Sequence, residues 1–425
     1  MTERVTSIVD LSKLRIRDYP KCFLKRNPFP SIAIPEEIPP ITVDRESIIR
    51  HFQDTIAYLY EKGESTVTVL VGEYGSGKSH LLRLFKHSVN SQLLHTEEPV
   101  LAVYIRSPGR NILDFFFAAV EDIGRSTLTQ LSIQVIQKYL QKTWSHSKRH
   151  FFDKEIREKF EQGEIGIESL LRASTIYDLI REIREKLFSK IRNSDLVSAF
   201  LFLSHPDYSS IAWRWLLGEK LSREERDNIL VDSLLTDVKE SYSVLQSFIQ
   251  LLQSLGMKAL VFLVDELEKI MLIPSLQRSR YQDDLRHFID DNPKGIAIFF
   301  AIAPAQWDML SREPTALQRR LAGNVHVLDP FDEERIKDLI RGYLRLNRTE
   351  DYSETAARNR FPQCDPDLCP FTENSIDAIL DKTKGIVSGV ILLCRKSLDF
   401  FLDNIDSYEV ITAELIELVA KQEGL

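Results

Sequence analysis

Nine residues, GEYGSGKSH at Gly72–His80, constrain this chain more than any others. They fit G-x-x-x-x-G-K-[ST] through Gly72, Gly77, Lys78 and Ser79, the pattern of a loop whose backbone N–H groups cradle phosphate. The run before them, TVTVLV at Thr66–Val71, is β-branched and apolar, as a buried parallel strand should be. The run after them places Leu81, Leu82, Phe85 and Val89 at helical spacing. Glycine is needed where N–H groups turn inward, because a Cβ would obstruct the approaching oxygen. The helix N-terminus adds partial positive charge. Lys78 is expected to reach the β- and γ-phosphates and Ser79 to ligate Mg²⁺, with Glu73, Tyr74, Gly75, Ser76 and His80 completing the contact set. A chance glycine turn is the alternative, and both flanks argue against it. The pattern implies a nucleoside triphosphate.

Composition sets outer bounds. A chain of 425 residues has room for two or three domains, and 28% charged residues describe a globular protein rather than a disordered one. No apolar run approaches the length of a membrane span, and MTERVTSIVDLSK is not a secretory leader. Four cysteines suit a reducing compartment, so a cytoplasmic location is expected. A net charge of −8 excludes a surface that is basic all over, and contact with nucleic acid must come from local patches.

A second chemical motif lies far downstream. Ala259–Glu266 reads ALVFLVDE, an apolar strand closed by two carboxylates. Asp265 is expected to hold Mg²⁺ and Glu266 to polarise an attacking water, the metal and base functions that a phosphate loop lacks. The alternative is an exposed acidic pair that merely ends a strand. The strands then fall in order: Thr66–Val71, Pro99–Ile105, the acidic strand, Gly295–Ala303 and Asn324–Pro330. Helices are expected at Arg280–Asp290 and Trp307–Leu321. Five strands with crossover helices make an α/β, doubly wound parallel sheet. That succession of parts is similar to AAA+ ATPases. The expected organisation is an extended Pro-rich basic arm at 1–40, a nucleotide-binding core at 41–107 and 257–330, an all-helical insertion at 108–256, and a helical lid at 331–425. Within the insertion Ser174–Lys190 and Val231–Leu255 read as amphipathic helices, and Ser222–Glu225 as a capping box.

GEYGSGKSHLL, the tract WRWLLGEKLSREERDNILV at Trp213–Val231, and LVFLVDELEKI followed by YQDDLRHFIDD resemble the BREX-type phage-defence ATP-binding proteins. These group with the origin-recognition/Cdc6-like AAA+ ATPases. The resemblance spans roughly residues 40–330. It implies ATP as ligand with Mg²⁺, hydrolysis, assembly into a homo-oligomer, and work on or beside duplex DNA with protein partners of a defence or DNA-processing system. The family's arginine finger falls on TALQRRL, making Arg319 and Arg320 the candidates, and a basic pair at a helix C-terminus is the alternative. Val43–Ile49 sits where the adenine pocket begins, with Asp44 and Arg45 near its mouth. Two features depart from the family. The polar sensor after the fourth strand is missing, leaving Gln306 or Asn292 as substitutes. The lid motif at Gly385–Gly389 lacks its arginine, with Arg395 two turns on.

Softer signals remain. Residues 1–40 hold six of the seventeen prolines, with Lys13, Arg15, Arg17, Lys21, Lys25 and Arg26 against Asp10 and Asp18. They read as a solvated arm, or as a contact to nucleic acid. Lys142, Trp144, His146, Lys148, Arg149 and His150 form a second basic cluster with the same two readings. Cys364 and Cys369 would need two further ligands to hold zinc. Two functional classes follow: an ATPase that assembles on or beside DNA, and a nucleotide-gated signalling switch that docks a protein effector without DNA.

Overall fold

The structure, a computed structural model, describes residues 17–31, 41–146, 154–164, 166–172, 175–189, 191–237, 241–312 and 315–425. Lys13, Arg15, Lys148, Arg149 and His150 lie outside the described residues. The chain divides into two compact units. One combines Arg50–Val71 with Leu81–Val327. The other combines the described part of Met1–Ile49 with Gly72–His80 and Leu328–Leu425.

The first unit is built on a five-stranded sheet of β1 (Thr66–Gly72), β2 (Val100–Ile105), β3 (Ala259–Val264), β4 (Ile296–Ile302) and β5 (Val325–Leu328), in the order β2-β3-β4-β1-β5. The β2–β3, β3–β4 and β4–β1 pairs are parallel, in the registers Val103↔Phe262, Phe262↔Ile298 and Val69↔Phe300. This is the α/β fold with a five-stranded sheet that the sequence leads one to expect. Every residue of β3 and β4 is buried, which explains their unbroken apolar runs. Helices cover both faces. Phe299 packs toward Phe52 and Phe85, whose rings stack at 3.9 Å. Phe262 meets Phe115 and Phe288 on helices Ile112–Ile123 and Ser275–Asp290. Truncating any one of these buried rings to alanine should cost about 3–5 kcal/mol.

The outer edge of β2 is closed by side chains. Asn90 accepts from the Ala102 N–H at 2.8 Å and donates to the Ala102 carbonyl at 2.9 Å, while Asp122 accepts from the Tyr104 N–H at 2.7 Å. An edge satisfied in this way offers no template for another strand.

Between Ile112 and Ser254 every described element is helical. Three expected helices are redrawn. Val231–Leu255 is not one helix: a single turn at Leu235–Asp237 precedes a helix at Ser241–Ser254. The cause is Asp195, whose carboxylate accepts from the N–H groups of Asp232 and Ser233 and from the Ser233 hydroxyl. The Ser233 carbonyl meanwhile accepts from the Trp215 indole. Backbone groups spent on side chains are not available to a helix. Trp307–Leu321 is two helices, Pro304–Arg312 and Ala316–Leu321, because Thr315 caps the second by accepting from the Gln318 N–H. The helix before β4 starts at Ser275, directly after Pro274, rather than at Arg280. The capping box at Ser222 and Glu225 is present.

In the second unit the helices Glu333–Leu346, Glu373–Thr383, Val387–Asp403 and Ala413–Glu423 surround an apolar core. Cys22, Leu24 and Phe29 are part of that core, so the described stretch of the arm is packed rather than solvated. Arg17 pairs with Asp399 and Asp403, and Arg26 donates to Asn347. All four cysteines are buried free thiols, and burial pushes Cys22 and Cys364 up to about 12. No group of three potential metal ligands from His, Cys, Asp and Glu occurs among the described residues, and none of their helices is long and apolar enough to cross a membrane.

His51 and His326 face each other in the first unit, ring centroids 4.1 Å apart, with His51 also against Phe299 and bonded to the Thr68 hydroxyl. Burial lowers both imidazoles, and for His51 the neighbouring His326 adds to this while Asp54 opposes it. A base depressed in the folded state leaves stability intact above its unfolded value and erodes it below. Stability should therefore fall as pH drops below about 6.5. Thermal melts of His326→Gln from pH 8 to pH 5 should show a shallower loss than wild type.

Candidate functional site

The loop that follows β1 owes its shape to two glycines. Gly75 and Gly77 have φ of +81° and +99°, where a side chain is strained. The Ser76 N–H donates to the Glu73 carbonyl at 3.1 Å and closes the turn. Gly72 admits close approach: a Cβ there would lie 2.6 Å from Ser76 Oγ and 3.1 Å from Leu328. Lys78 opens the helix Lys78–Gln92 and is buried. Its ammonium crosses back over the loop, donating to the carbonyls of Gly72 at 2.6 Å and Glu73 at 2.9 Å, and lies 5.7 Å from the Tyr74 ring centroid. The Ser76 hydroxyl is buried with no hydrogen-bond partner among the described residues, and Ser79 is half-buried in the first helical turn. At Gly77 a Cβ would meet open space. A concave loop with an ammonium, an orphaned hydroxyl and a helix N-terminus fits a phosphate chain, and Ser79 supplies an oxygen of the kind Mg²⁺ takes.

Residues of the same unit clasp this loop. Arg45 donates to the carbonyls of Ser76 at 3.2 Å and Asp329 at 3.4 Å, with its guanidinium 4.9 Å from the Phe331 ring centroid. Asp44 has a φ of +49° and pairs with Arg335, which also reaches Asp332. His80 shares a 3.0 Å hydrogen bond with Thr42, while its Nδ1 is buried without a partner among the described residues. Burial, and then Arg45, hold this imidazole below its ordinary value. The Ser388 N–H, in the first turn of Val387–Asp403, donates to the Gly75 carbonyl at 3.1 Å.

The acidic pair ends β3 in the sheet unit. Asp265 is buried; its Oδ2 accepts from the Tyr104 hydroxyl at 2.9 Å and its Oδ1 from the Glu266 N–H at 2.9 Å. Burial and the Asp265 charge push the Tyr104 phenol up, and Arg83 lies 5.3 Å from the centroid of its ring. Glu266 has a φ of +52°, so the chain turns sharply and presents a half-exposed carboxylate, which pairs with Lys269.

Other candidates are sorted by their partners. Arg320 is held by both carboxylate oxygens of Asp290, whereas Arg319 is exposed with no ion pair among the described residues. Arg395 is occupied, donating to the Phe29 carbonyl at 2.5 Å. Asn292 cannot act as the missing sensor. It bonds Gln246 and the Phe288 carbonyl, and it lines a cavity with Glu64–Val67, at the opposite end of β1 from the loop. Gln306 follows the C-terminal end of β4, with its amide oxygen buried and without a partner among the described residues. Sequence reasoning missed Tyr104, Arg335 and Ser388. Only Tyr104 left a signal, as the one polar side chain in an otherwise aliphatic strand.

Residues 45–277, more than half of the chain, match the model of the KAP family P-loop domain. The chain belongs to the KAP P-loop family. Within this KAP-family chain residues 205–356 also match the model of the BREX system ATP-binding protein BrxC/D. That span contains Trp213–Val231 and the acidic strand, two of the stretches that carry the resemblance noted above. No curated protein matches. Among solved structures, the chain is similar to the Aeropyrum pernix ORC2 protein in its ADPNP–ADP complexes, at 10% identity and a TM-score of 0.46, covering 92% of this chain and 71% of that one. The Aeropyrum pernix ORC1 protein in complex with DNA gives 10%, 0.45, 92% and 68%. Cdc6p from Pyrobaculum aerophilum gives 12%, 0.38, 92% and 70%.

The two strained glycines differ in surroundings. A Cβ at Gly75 would lie 2.0 Å from Ser388 Oγ, whereas one at Gly77 meets nothing. Gly77→Ala should lose about 1 kcal/mol from strain alone, and Gly75→Ala about 2 kcal/mol or more. Nucleotide-free thermal unfolding measures the difference, and equal losses would contradict the packing described.

Proposed function

We propose that this chain is an ATPase that binds ATP with Mg²⁺ at Gly72–His80, hydrolyses it, and assembles as a homo-oligomer on or beside DNA in a defence or DNA-processing system. The observation that carries the reading is the loop itself, with two left-handed glycines and a buried lysine at a helix start. Lys78 meets phosphate charge, and Ser79 and Asp265 are the groups that would hold Mg²⁺. Bound metal supplies charge neutralisation for the phosphates. Glu266 orients and deprotonates the attacking water once Lys269 releases it. Asp44 and Arg45 shape the base side of the pocket. Arg319 takes the finger role in a neighbouring copy, because Arg320 is already spent on Asp290. The match to BREX ATP-binding proteins supports the defence setting.

One observation favours the switch reading: Leu272 and Leu276 are 83% and 68% exposed on consecutive helices, an apolar surface suited to a protein effector.

The chemistry is tested by two substitutions. Lys78→Ala should abolish tight ATP binding, while Glu266→Gln should keep binding and reduce turnover by 100-fold or more, on the order of general-base loss. Titration with labelled nucleotide and a phosphate-release assay separate the two, and equal loss of binding would refute the assignment. Arg319→Ala mixed with Glu266→Gln should recover activity that neither has alone, because hybrid interfaces join an intact site to an intact finger. Hydrolysis by a strictly monomeric species would remove the shared site.

A further inference from the structure

The sheet unit contains a polar groove. It encloses about 1020 Å³ between the start of helix Ile112–Ile123, helix Ser241–Ser254 and helix Ser275–Asp290. Arg110, Arg192 and Arg280 line it from three separate segments, all are exposed, and none has an ion-pair partner among the described residues. Three carboxylates, Asp283, Asp284 and Asp291, share the groove. Asp291 accepts from the Tyr242 hydroxyl, and Asp283 lies 3.9 Å from Arg286. Asp284 is half-buried in cost as well as in place: desolvation raises its carboxyl toward the neutral form, with His287 opposing and Asp283 adding. Gln250 and Gln277 also line the groove, and neither amide has a protein partner among the described residues.

We propose that this groove binds a single strand of nucleic acid, with Arg110, Arg192 and Arg280 on its phosphates and the free amides of Gln250 and Gln277 on base edges. Three guanidiniums with no ion pair among the described residues line one groove in a chain of net charge −8. Guanidiniums suit phosphate because their planar fork matches two oxygens at once. Amides can satisfy the donor and acceptor edges of unpaired bases. A concave slot admits a strand, whereas a duplex needs a convex element to enter its grooves. The proposal rests on the DNA partnership proposed above and moves the contact away from the N-terminal arm, where Arg17 and Arg26 are engaged.

The test uses the full chain with a labelled oligothymidylate, its duplex, and an acidic peptide as a competing polyanion, each over a salt series. Wild type should bind the single strand more tightly than the duplex. Arg110→Ala, Arg192→Ala and Arg280→Ala combined should weaken strand binding at least about tenfold and reduce the log–log salt slope by about 2, the share of three phosphates. The triple lysine variant should retain most of the affinity, and ATP binding should be unchanged in both. Three results overturn the proposal. If the triple alanine variant binds the strand as wild type does, the groove is not the contact although the DNA reading survives. If wild type binds no nucleic acid, that reading falls with it. If the acidic peptide displaces the strand and needs the same arginines at equal affinity, the groove is a protein-docking site.

Discussion

Parallel pairing spends the backbone of every inner strand on its neighbours, and that constraint organises the sheet unit. With β3 and β4 buried along their whole length, no main-chain donor or acceptor is free until a strand ends. Polar chemistry is therefore displaced to the strand termini. The phosphate loop leaves the C-terminal end of β1, and Asp265 and Glu266 leave the C-terminal end of β3. The crossover helices then have no choice but to cover the faces, and Phe299 and Phe262 mark the two sides on which they pack.

What was legible in the sequence is what is local. The glycine spacing of the loop, the β-branched run before it and the acidic close of β3 are each written within a dozen residues. The five strands and the α/β class follow from such runs. What was hidden depends on partners distant in sequence. Asp195 breaks a helix that periodicity draws through Val231–Leu255, and it does so from 37 residues away. Arg45 clasps Ser76 across 31 positions, and Tyr104 meets Asp265 across 161. The solvated reading of the arm fails over its described residues because Cys22, Leu24 and Phe29 are buried without any repeating spacing. A basic, proline-rich segment looks solvated until Arg17 finds Asp399 and Asp403.

The candidate site shows the same division. Motif spacing names the residues that would touch phosphate, but not the residues that hold them in place. Asp44 and Arg45 are the clearest case. They were expected at the mouth of a base pocket, and the structure gives both of them structural duties, Asp44 to Arg335 and Arg45 to the loop's own carbonyl. A residue can serve both ends only if its position is already fixed by such contacts, which is how a rigid site is supported.

The burial of all four thiols has a practical corollary. Cys22, Cys364, Cys369 and Cys394 are shielded and kept protonated, so the native chain offers alkylating reagents almost no thiolate. A single cysteine introduced on an exposed helix would then react alone, without first removing the natural ones. The molecule is in effect a ready background for site-directed fluorescent or spin labels, and distances between such labels can be followed through a nucleotide cycle in an otherwise unaltered sequence.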